Sequence, residues 1–226
     1  MNDLSAQDVT VHAPPARGTL SSGARESMKW LALLSMTGDH VAKVVFGGYV
    51  PVVSEFGRIA FPLFALVMAC NLAQPGADLG KSIRRLSAWG LVAQPLHMLA
   101  FGYWLPLNIL LTFGLAAVAV HALTSNRQLL LLVAGGLLPF FVDYQWAGGA
   151  LVVLGWIAFR HRAYWLLAFG FGGLCWVNGN GWALLAIPLV LALARVPWTV
   201  PRSRWAFYVY YVGHLAVLAA YAQWLR

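Results

Sequence analysis

The chain is dominated by long apolar runs that short clusters of Gly, Pro and charged residues separate from about residue 28 onward. Runs of this kind, without the strict alternation of a half-buried strand, predict α-helices, and a run of about 20 residues suits a membrane span. The runs predict nine helices, at residues 28–50, 56–74, 86–104, 106–124, 128–142, 147–159, 164–178, 181–194 and 205–225. We therefore predict an all-α polytopic membrane protein with seven to nine transmembrane helices, because helices five to seven are short and Gly-rich enough to be re-entrant or to cross tightly.

Composition supports a membrane protein and defines the predicted domains. Hydrophobic residues make up 61% of the 226 residues and charged residues 10%, whereas soluble domains carry about 25% charged residues. Residues 1–27 are polar and lack the apolar core of a signal peptide. We predict an uncleaved, disordered cytoplasmic tail at 1–27 and a single transmembrane domain at 28–226.

The formal net charge of +8 raises the possibility of a nucleic-acid partner, but the positions of the cations point to membrane topology instead. Twelve basic residues lie before or at the very start of the first predicted helix, or in every second connection: Arg17, Arg25, Lys29, Lys81, Arg84, Arg85, Arg127, Arg160, Arg162, Arg195, Arg202 and Arg204. Cytoplasmic loops carry the excess of Lys and Arg. This distribution predicts a cytoplasmic amino terminus, a carboxyl terminus on the outer side of the membrane if all nine helices span it, and no nucleic-acid partner.

The first predicted helix carries three ionisable residues in its middle, Asp39, His40 and Lys43. Asp and Lys each cost about 2.5–3.5 kcal/mol at the centre of a membrane helix, while each Leu or Val returns only about 0.3–0.6 kcal/mol. Asp39 and Lys43 are four residues apart and so share a helix face, where they can form an ion pair. Either this pair merely neutralises itself, or the three residues mark a functional site, which is the default interpretation for ionisable groups inside a membrane.

Other polar residues are predicted at mid-to-outer depth in neighbouring helices. They are Arg58 in the second helix, Gln94 and His97 in the third, Asn108 and Thr112 in the fourth, and His214 with Tyr211 in the last. At about 1.5 Å per residue, most of them lie in adjacent layers of the bilayer, which predicts a polar cavity among the helices. For Arg58 a snorkelling side chain, and for His214 a simple interhelical hydrogen bond, are the alternatives. Cys70 and Cys175 lack metal-ligand spacing, so neither a metal site nor a disulfide is predicted.

These residue types suit acyl transfer. His40 could be the general base, with Asp39 orienting or charge-stabilising it and His214 taking a second proton-transfer role. Lys43 and Arg58 could bind a phosphate or carboxylate of the donor, and Gln94, His97, Asn108, Thr112 and Tyr211 complete the predicted binding residues. No nucleophile elbow, HExxH, P-loop or GxGxxG occurs, which removes the usual sequence support for hydrolases, metalloproteases, ATPases and dinucleotide enzymes.

Five blocks of the sequence resemble the TraX family of integral membrane proteins from conjugative plasmids, and most of all its members from broad-host-range plasmids. The blocks are Lys29 to His40 with its Asp-His pair, GRIAFPLFAL at Gly57 to Leu66, Gln94-Pro95, LNILLT at Leu107 to Thr112, and Tyr211 to His214. The resemblance covers most of Lys29 to Leu123 and the last helix. The chain departs from the family pattern at Gly213, where a Pro is expected, and in its polar amino-terminal extension.

The resemblance implies an inner-membrane enzyme that modifies the conjugative pilin subunit, by amino-terminal acetylation in the best-known member. Asp39, His40, Arg58 and His214 match the family's polar positions. The implied partners are a membrane-inserted pilin precursor and membrane lipids, and the implied co-substrate is acetyl-CoA or a phospholipid donor, with no permanently bound cofactor. Transfer of a phosphoglycerol group, a transporter or proton relay, and a non-enzymatic assembly factor of the conjugation apparatus remain the alternatives.

Overall fold

Nine helical segments and no β-strand occur in the computed structural model, which describes residues 20–195, 200–203 and 205–225. The segments are α1 (Ser22–Val45), α2 (Val53–Leu72), α3 (Leu79–Phe101), α4 (Ile109–Thr124), α5 (Gln128–Phe141), α6 (Gln145–His161), α7 (Leu166–Asn178), α8 (Trp182–Arg195) and α9 (Ala206–Trp224). The predicted all-α class and the approximate positions of the nine helices are confirmed.

The predicted start differs most from the structure at α3, which begins at Leu79 rather than at residue 86, and almost as much at the amino end of the described chain. There α1 begins at Ser22 rather than at residue 28, because the Ser21 side chain accepts a hydrogen bond from the backbone N–H of Ala24 at 3.0 Å and caps the helix. The last residues of the predicted polar tail are therefore helical. Residues 1–19, which make up most of that tail, lie outside the described residues.

Helix α2 occupies the centre of the bundle. It packs against α1, α6 and α8, while α3 packs against α4 and α9, and α6 packs against α7. Ile59, Leu63, Ala65 and Cys70 of α2 are fully buried. This central position explains why the part of α2 from Ala60 to Cys70 is apolar on every side.

By length and composition, one helix among the described residues, α2, is long and apolar enough to cross a membrane. Four other helices are apolar but shorter, namely α4, α5, α7 and α8. The prediction of seven to nine transmembrane helices is thus not confirmed by helix length.

The Gly-rich second half of the chain contains close helix contacts, as the small residues there indicated. A Cβ atom added at Gly170 of α7 would lie 2.8 Å from Cδ1 and 3.1 Å from Cα of Leu151 in α6. The absence of a side chain at Gly170 therefore lets these two short helices approach each other. Helix α5 is irregular, with a π-helical stretch at Leu132–Leu137 followed by a 3-10 turn at Leu138–Phe141.

Candidate functional site

A polar cavity of about 180 Å³ lies at the end of the bundle where α1, α3 and α7 end and α2 and α6 begin. Its lining residues come from five parts of the chain: His40, Lys43, Arg58, His97, Phe101, Tyr103, Asp143, Tyr144, Val177 and Asn178. We call this space the polar cavity. Of the ten predicted site residues, His40, Lys43, Arg58 and His97 line it directly.

His40 and His214 join α1 to α9 through a hydrogen bond between His40 Nδ1 and His214 Nε2 at 2.8 Å. The other ring nitrogen of His214, Nδ1, lies 3.1 Å from the carbonyl oxygen of Tyr210. A carbonyl oxygen can only accept, so His214 Nδ1 carries the hydrogen and, in the neutral ring, Nε2 accepts from His40 Nδ1. Neutral His40 then has its lone pair on Nε2, the arrangement that a general base requires.

The rings around this histidine pair hold both imidazoles in place. The edge of the Phe101 ring meets His40 with the ring centroids 5.0 Å apart, and Tyr210 stacks on His214 at 5.5 Å. The Tyr210 hydroxyl also hydrogen-bonds the Thr37 hydroxyl at 3.0 Å. These contacts restrict rotation of the two imidazoles, so the direction of the His40 lone pair is set by the fold.

Asp39 forms an ion pair with Lys43, as their spacing on one helix face predicted. The distance from Lys43 Nζ to Asp39 Oδ2 is 2.6 Å. The second carboxylate oxygen, Oδ1, is buried with no hydrogen-bond partner among the described residues. Asp39 therefore acts on Lys43 directly, whereas the orientation of His40 is set by its bond to His214.

The start of α2 approaches α1 very closely at Gly57, the first residue of the GRIAFPLFAL block. A Cβ atom at Gly57 would lie 2.5 Å from Cβ and 2.9 Å from Cγ of Asp39. Real Cβ atoms do not come this close, so only glycine allows Arg58, the next residue, to reach the polar cavity beside Lys43.

Replacing Gly57 with Ala should destabilise the protein, because the added methyl group must push α2 away from Asp39. Overpacking of this kind costs about 1–3 kcal/mol of unfolding free energy. The midpoint of thermal unfolding of the purified protein in detergent measures the effect. Gly172→Ala in α7 is the matched control, since a Cβ there meets nothing within 4 Å, and an equal loss in both variants would contradict the packing argument.

Arg58 and His97 present further polar atoms to the polar cavity. Arg58 Nη1 lies 3.4 Å from Asn178 Oδ1 at the end of α7. The Asn178 side-chain nitrogen and His97 Nδ1 are both buried without a hydrogen-bond partner among the described residues. Buried polar atoms are usually paired, so these two lack the partner that such atoms normally have.

Asp143 and Tyr144, in the connection between α5 and α6, complete the polar cavity. The backbone pairs with the chain before α4, where Asp143 N–H donates to the Leu107 carbonyl at 2.9 Å. Burial raises the pKa of the Asp143 carboxyl to about 6, and the positive charge of Lys43 opposes this shift. Asp143 can therefore gain or lose a proton near neutral pH.

The remaining predicted residues lie beside the polar cavity rather than in its wall. Asn108 caps α4 through Leu110 N–H at 3.1 Å, and its side-chain nitrogen donates to Gln94 Oε1 at 2.8 Å. The Thr112 hydroxyl donates to the Asp143 carbonyl at 3.0 Å and so holds the loop that carries Asp143. Tyr211 is buried, with its ring centroid 5.4 Å from that of His214.

Sequence reasoning did not single out the aromatic residues of the cavity wall, nor Asp143 or Asn178 as site residues. Asp143 lies between the predicted helices 128–142 and 147–159, outside the apolar runs in which a polar residue stands out. One available signal was topology, because the connection that holds Asp143 is at the same end of the bundle as Lys43 and Arg58. As for metals, no group of three or more His, Cys, Asp or Glu in the described part of the chain could hold an ion.

The fold and the cavity define an all-helical protein with a polar, histidine-containing cavity at one end of its bundle. The chain belongs to the TraX protein family, which matches residues 24–221. Protein TraX of Escherichia coli is 39% identical over 97 residues, which cover 43% of this chain and 39% of that protein. Protein TraX of Escherichia coli strain K12 is 35% identical over 97 residues with the same coverage.

The matched part thus amounts to about two-fifths of the length of each of these relatives. No solved structure matches the chain. The resemblance to the TraX family is confirmed, while the closer resemblance to members from broad-host-range plasmids stays a prediction.

Proposed function

We propose that this chain is a membrane-embedded transferase that attaches a small acyl group, acetyl from acetyl-CoA, to a conjugative pilin precursor during pilus biogenesis. The observation that carries the proposal is the hydrogen-bonded chain from the Tyr210 carbonyl through His214 to His40. It leaves the lone pair on Nε2 of His40, which lines the same cavity as the two cations Lys43 and Arg58.

The proposed location is the bacterial inner membrane. Large apolar side chains on several helices face outward, among them Leu34, Leu91, Leu129, Trp176 and Val217, each more than 65% exposed. Exposed apolar surface of this extent marks a surface that contacts lipid or a partner. If the nine helices alternate in direction, the basic connections lie in the cytoplasm and the polar cavity opens towards the periplasm.

In the proposed reaction, an amine of the pilin attacks the carbonyl carbon of the acetyl thioester. A C–N bond forms, the C–S bond breaks, and His40 Nε2 takes the proton that the amine loses. The proton then passes to the departing thiolate, so His40 returns to its neutral state. Lys43 and Arg58 stabilise the negative charge that develops on the carbonyl oxygen.

The experiment that tests this function is the intact mass of mature pilin from a strain that lacks the gene, compared with the parent strain. We expect the parental pilin to be heavier by one acetyl group, and complementation with the gene to restore that mass. Equal pilin masses in the two strains would contradict the proposal. In that case, solute or proton flux in proteoliposomes without pilin would favour a transporter, and loss of a conjugation complex on deletion would favour an assembly factor.

A second candidate is transfer of phosphoglycerol from a phospholipid to the pilin. It is favoured by the two cations of the polar cavity, Lys43 and Arg58, because paired cations suit a phosphate that is being transferred. A phosphoglycerol group is heavier than an acetyl group. The same measurement of pilin mass therefore separates the two reactions.

A further inference from the structure

A second cavity, of about 170 Å³, lies at the opposite end of the bundle from the polar cavity. Four of the polar residues that line it come from different parts of the chain. Lys29 lies near the start of α1 and Asn71 at the end of α2. Arg85 lies near the start of α3 and Arg202 in the segment before α9. The rest of its wall is mostly apolar, so we call it the apolar cavity. It is thus a basic opening that leads into an apolar interior.

The cations at this opening exceed the carboxylates that could neutralise them. Lys29 pairs with Glu26, with Nζ and Oε1 2.5 Å apart. No carboxylate pairs with Arg85 or Arg202 in the described part of the chain. Arg85 also has a buried Nε without a hydrogen-bond partner among those residues. A buried donor of this kind, beside unneutralised cations, favours a bound anion.

The interior of the apolar cavity suits one extended apolar group. Met36 lies seven residues after Lys29 on α1, about 10 Å further into the bundle at 1.5 Å per residue, and Val67, Phe64 and Phe113 form much of the wall. A wall of this kind suits an apolar arm rather than a second charged group, because burying an unpaired charge is costly.

Tyr211 connects the two cavities. It is part of the wall of the apolar cavity, and its ring centroid is 5.4 Å from that of His214. His214 in turn hydrogen-bonds His40, which lines the polar cavity. A molecule whose head is held at the basic opening would therefore extend its arm towards the histidine pair.

We propose that the apolar cavity binds a phosphate-bearing amphiphile, with its anionic head between Arg85 and Arg202 and one apolar arm extending towards Tyr211. Both a coenzyme A thioester and an anionic phospholipid with one inserted chain have this chemistry. The binding site stands on the cavity alone, whereas its assignment as the donor site of the transferase rests on the proposed function. The proposal places donor and acceptor at opposite ends of the bundle, on either side of His40 and His214.

Binding can be measured on the full chain purified in a nonionic detergent, without pilin. One arm titrates acetyl-CoA by calorimetry, with acetyl-pantetheine, which lacks phosphate, as its control. The other arm adds phosphatidylglycerol or phosphatidylcholine and detects bound lipid by native mass spectrometry. Binding of acetyl-CoA but not acetyl-pantetheine, or of phosphatidylglycerol in preference to phosphatidylcholine, identifies the source of the phosphate.

The double variant Arg85→Gln/Arg202→Gln should weaken binding of the preferred probe at least tenfold, because it removes both unneutralised cations. The matched control is Arg84→Gln, the same change at an exposed neighbour on α3 that does not line the cavity, and it should leave binding within twofold of the wild type. Val67→Phe should weaken binding of the whole probe by narrowing the cavity, while binding of 3′,5′-ADP, a head group without an arm, stays unchanged.

Failure of both probes to bind, or unchanged binding in Arg85→Gln/Arg202→Gln, would overturn the proposal. Thermal unfolding of each variant shows whether it is folded. If the double variant does not fold, the single variants Arg85→Gln and Arg202→Gln are tested in its place. Because no pilin is present, these outcomes are independent of the pilin mass. A chain that binds the probe but leaves pilin unmodified would retain the site and contradict only the transferase.

Discussion

Pilin from cells that carry His40→Ala should have the mass of unmodified pilin, with the rate of modification lower by about 10²- to 10⁴-fold, the range for loss of a general base. The reason is that His40 Nε2 is the lone-pair nitrogen that the bond to His214 leaves available in the polar cavity. Asp39→Asn should also abolish modification, because Lys43 loses the carboxylate that holds its ammonium group. A time course of pilin intact mass after induction checks both variants.

The control for this result is His121→Ala. His121 lies in the last turn of α4 and does not line the polar cavity, so its removal should leave modification at the wild-type rate. Immunoblots of the membrane fraction should show equal amounts of all variants. Full modification by His40→Ala at an equal amount of protein would remove His40 from the proposed mechanism, whatever the role of the cavity.

The second large effect concerns the Asp39–Lys43 ion pair and the stability of the fold. Lys43→Met leaves the buried Asp39 carboxylate without its counter-charge, and breaking a buried ion pair by removing one partner costs about 3–5 kcal/mol. The Lys43 side chain is 43% exposed, so we expect the lower end of that range. In Asp39→Asn/Lys43→Met no charge is left unpaired, and the double variant should be more stable than Lys43→Met alone.

A double-mutant cycle measures this effect. It compares thermal unfolding in detergent of the wild type, Asp39→Asn, Lys43→Met and Asp39→Asn/Lys43→Met. Lys81→Met, the same change at an exposed position in the first turn of α3, should leave the unfolding midpoint almost unchanged. If the losses of the two single variants simply add in the double variant, Asp39 and Lys43 do not stabilise each other, and the ion pair has no role in stability.

Some residues of the polar cavity could be predicted from the sequence and others could not. His40, Lys43, Arg58 and His97 could be found because each is a costly polar group in an apolar run, a property that is visible one helix at a time. Their mid-to-outer depth also followed, because the rise per residue fixes how far along its helix each residue lies. The bond of His40 to His214 lies between residues 174 positions apart, and no local pattern could select it over other polar pairs.

Gln94 and Asn108, by contrast, were predicted as residues of the polar cavity but do not line it. Both are polar amides in predicted membrane helices, yet their side chains bond to each other, and Asn108 also caps α4. A polar side chain inside a bundle can bind a substrate or satisfy the backbone, and the two roles look the same in a sequence. Only the distances between helices distinguish them.

The sequence by itself determined the all-helical class, the approximate positions of the nine helices and the few polar groups placed inside them, because hydrophobic periodicity and desolvation act locally along a chain. The tertiary structure alone decided which of those groups share a cavity, because that depends on how closely the helices approach. At Gly57, the lack of one methyl group lets α2 approach Asp39 and carries Arg58 to the polar cavity. The same packing places a second, basic opening at the other end of the bundle, where the sequence showed only a row of positive charges.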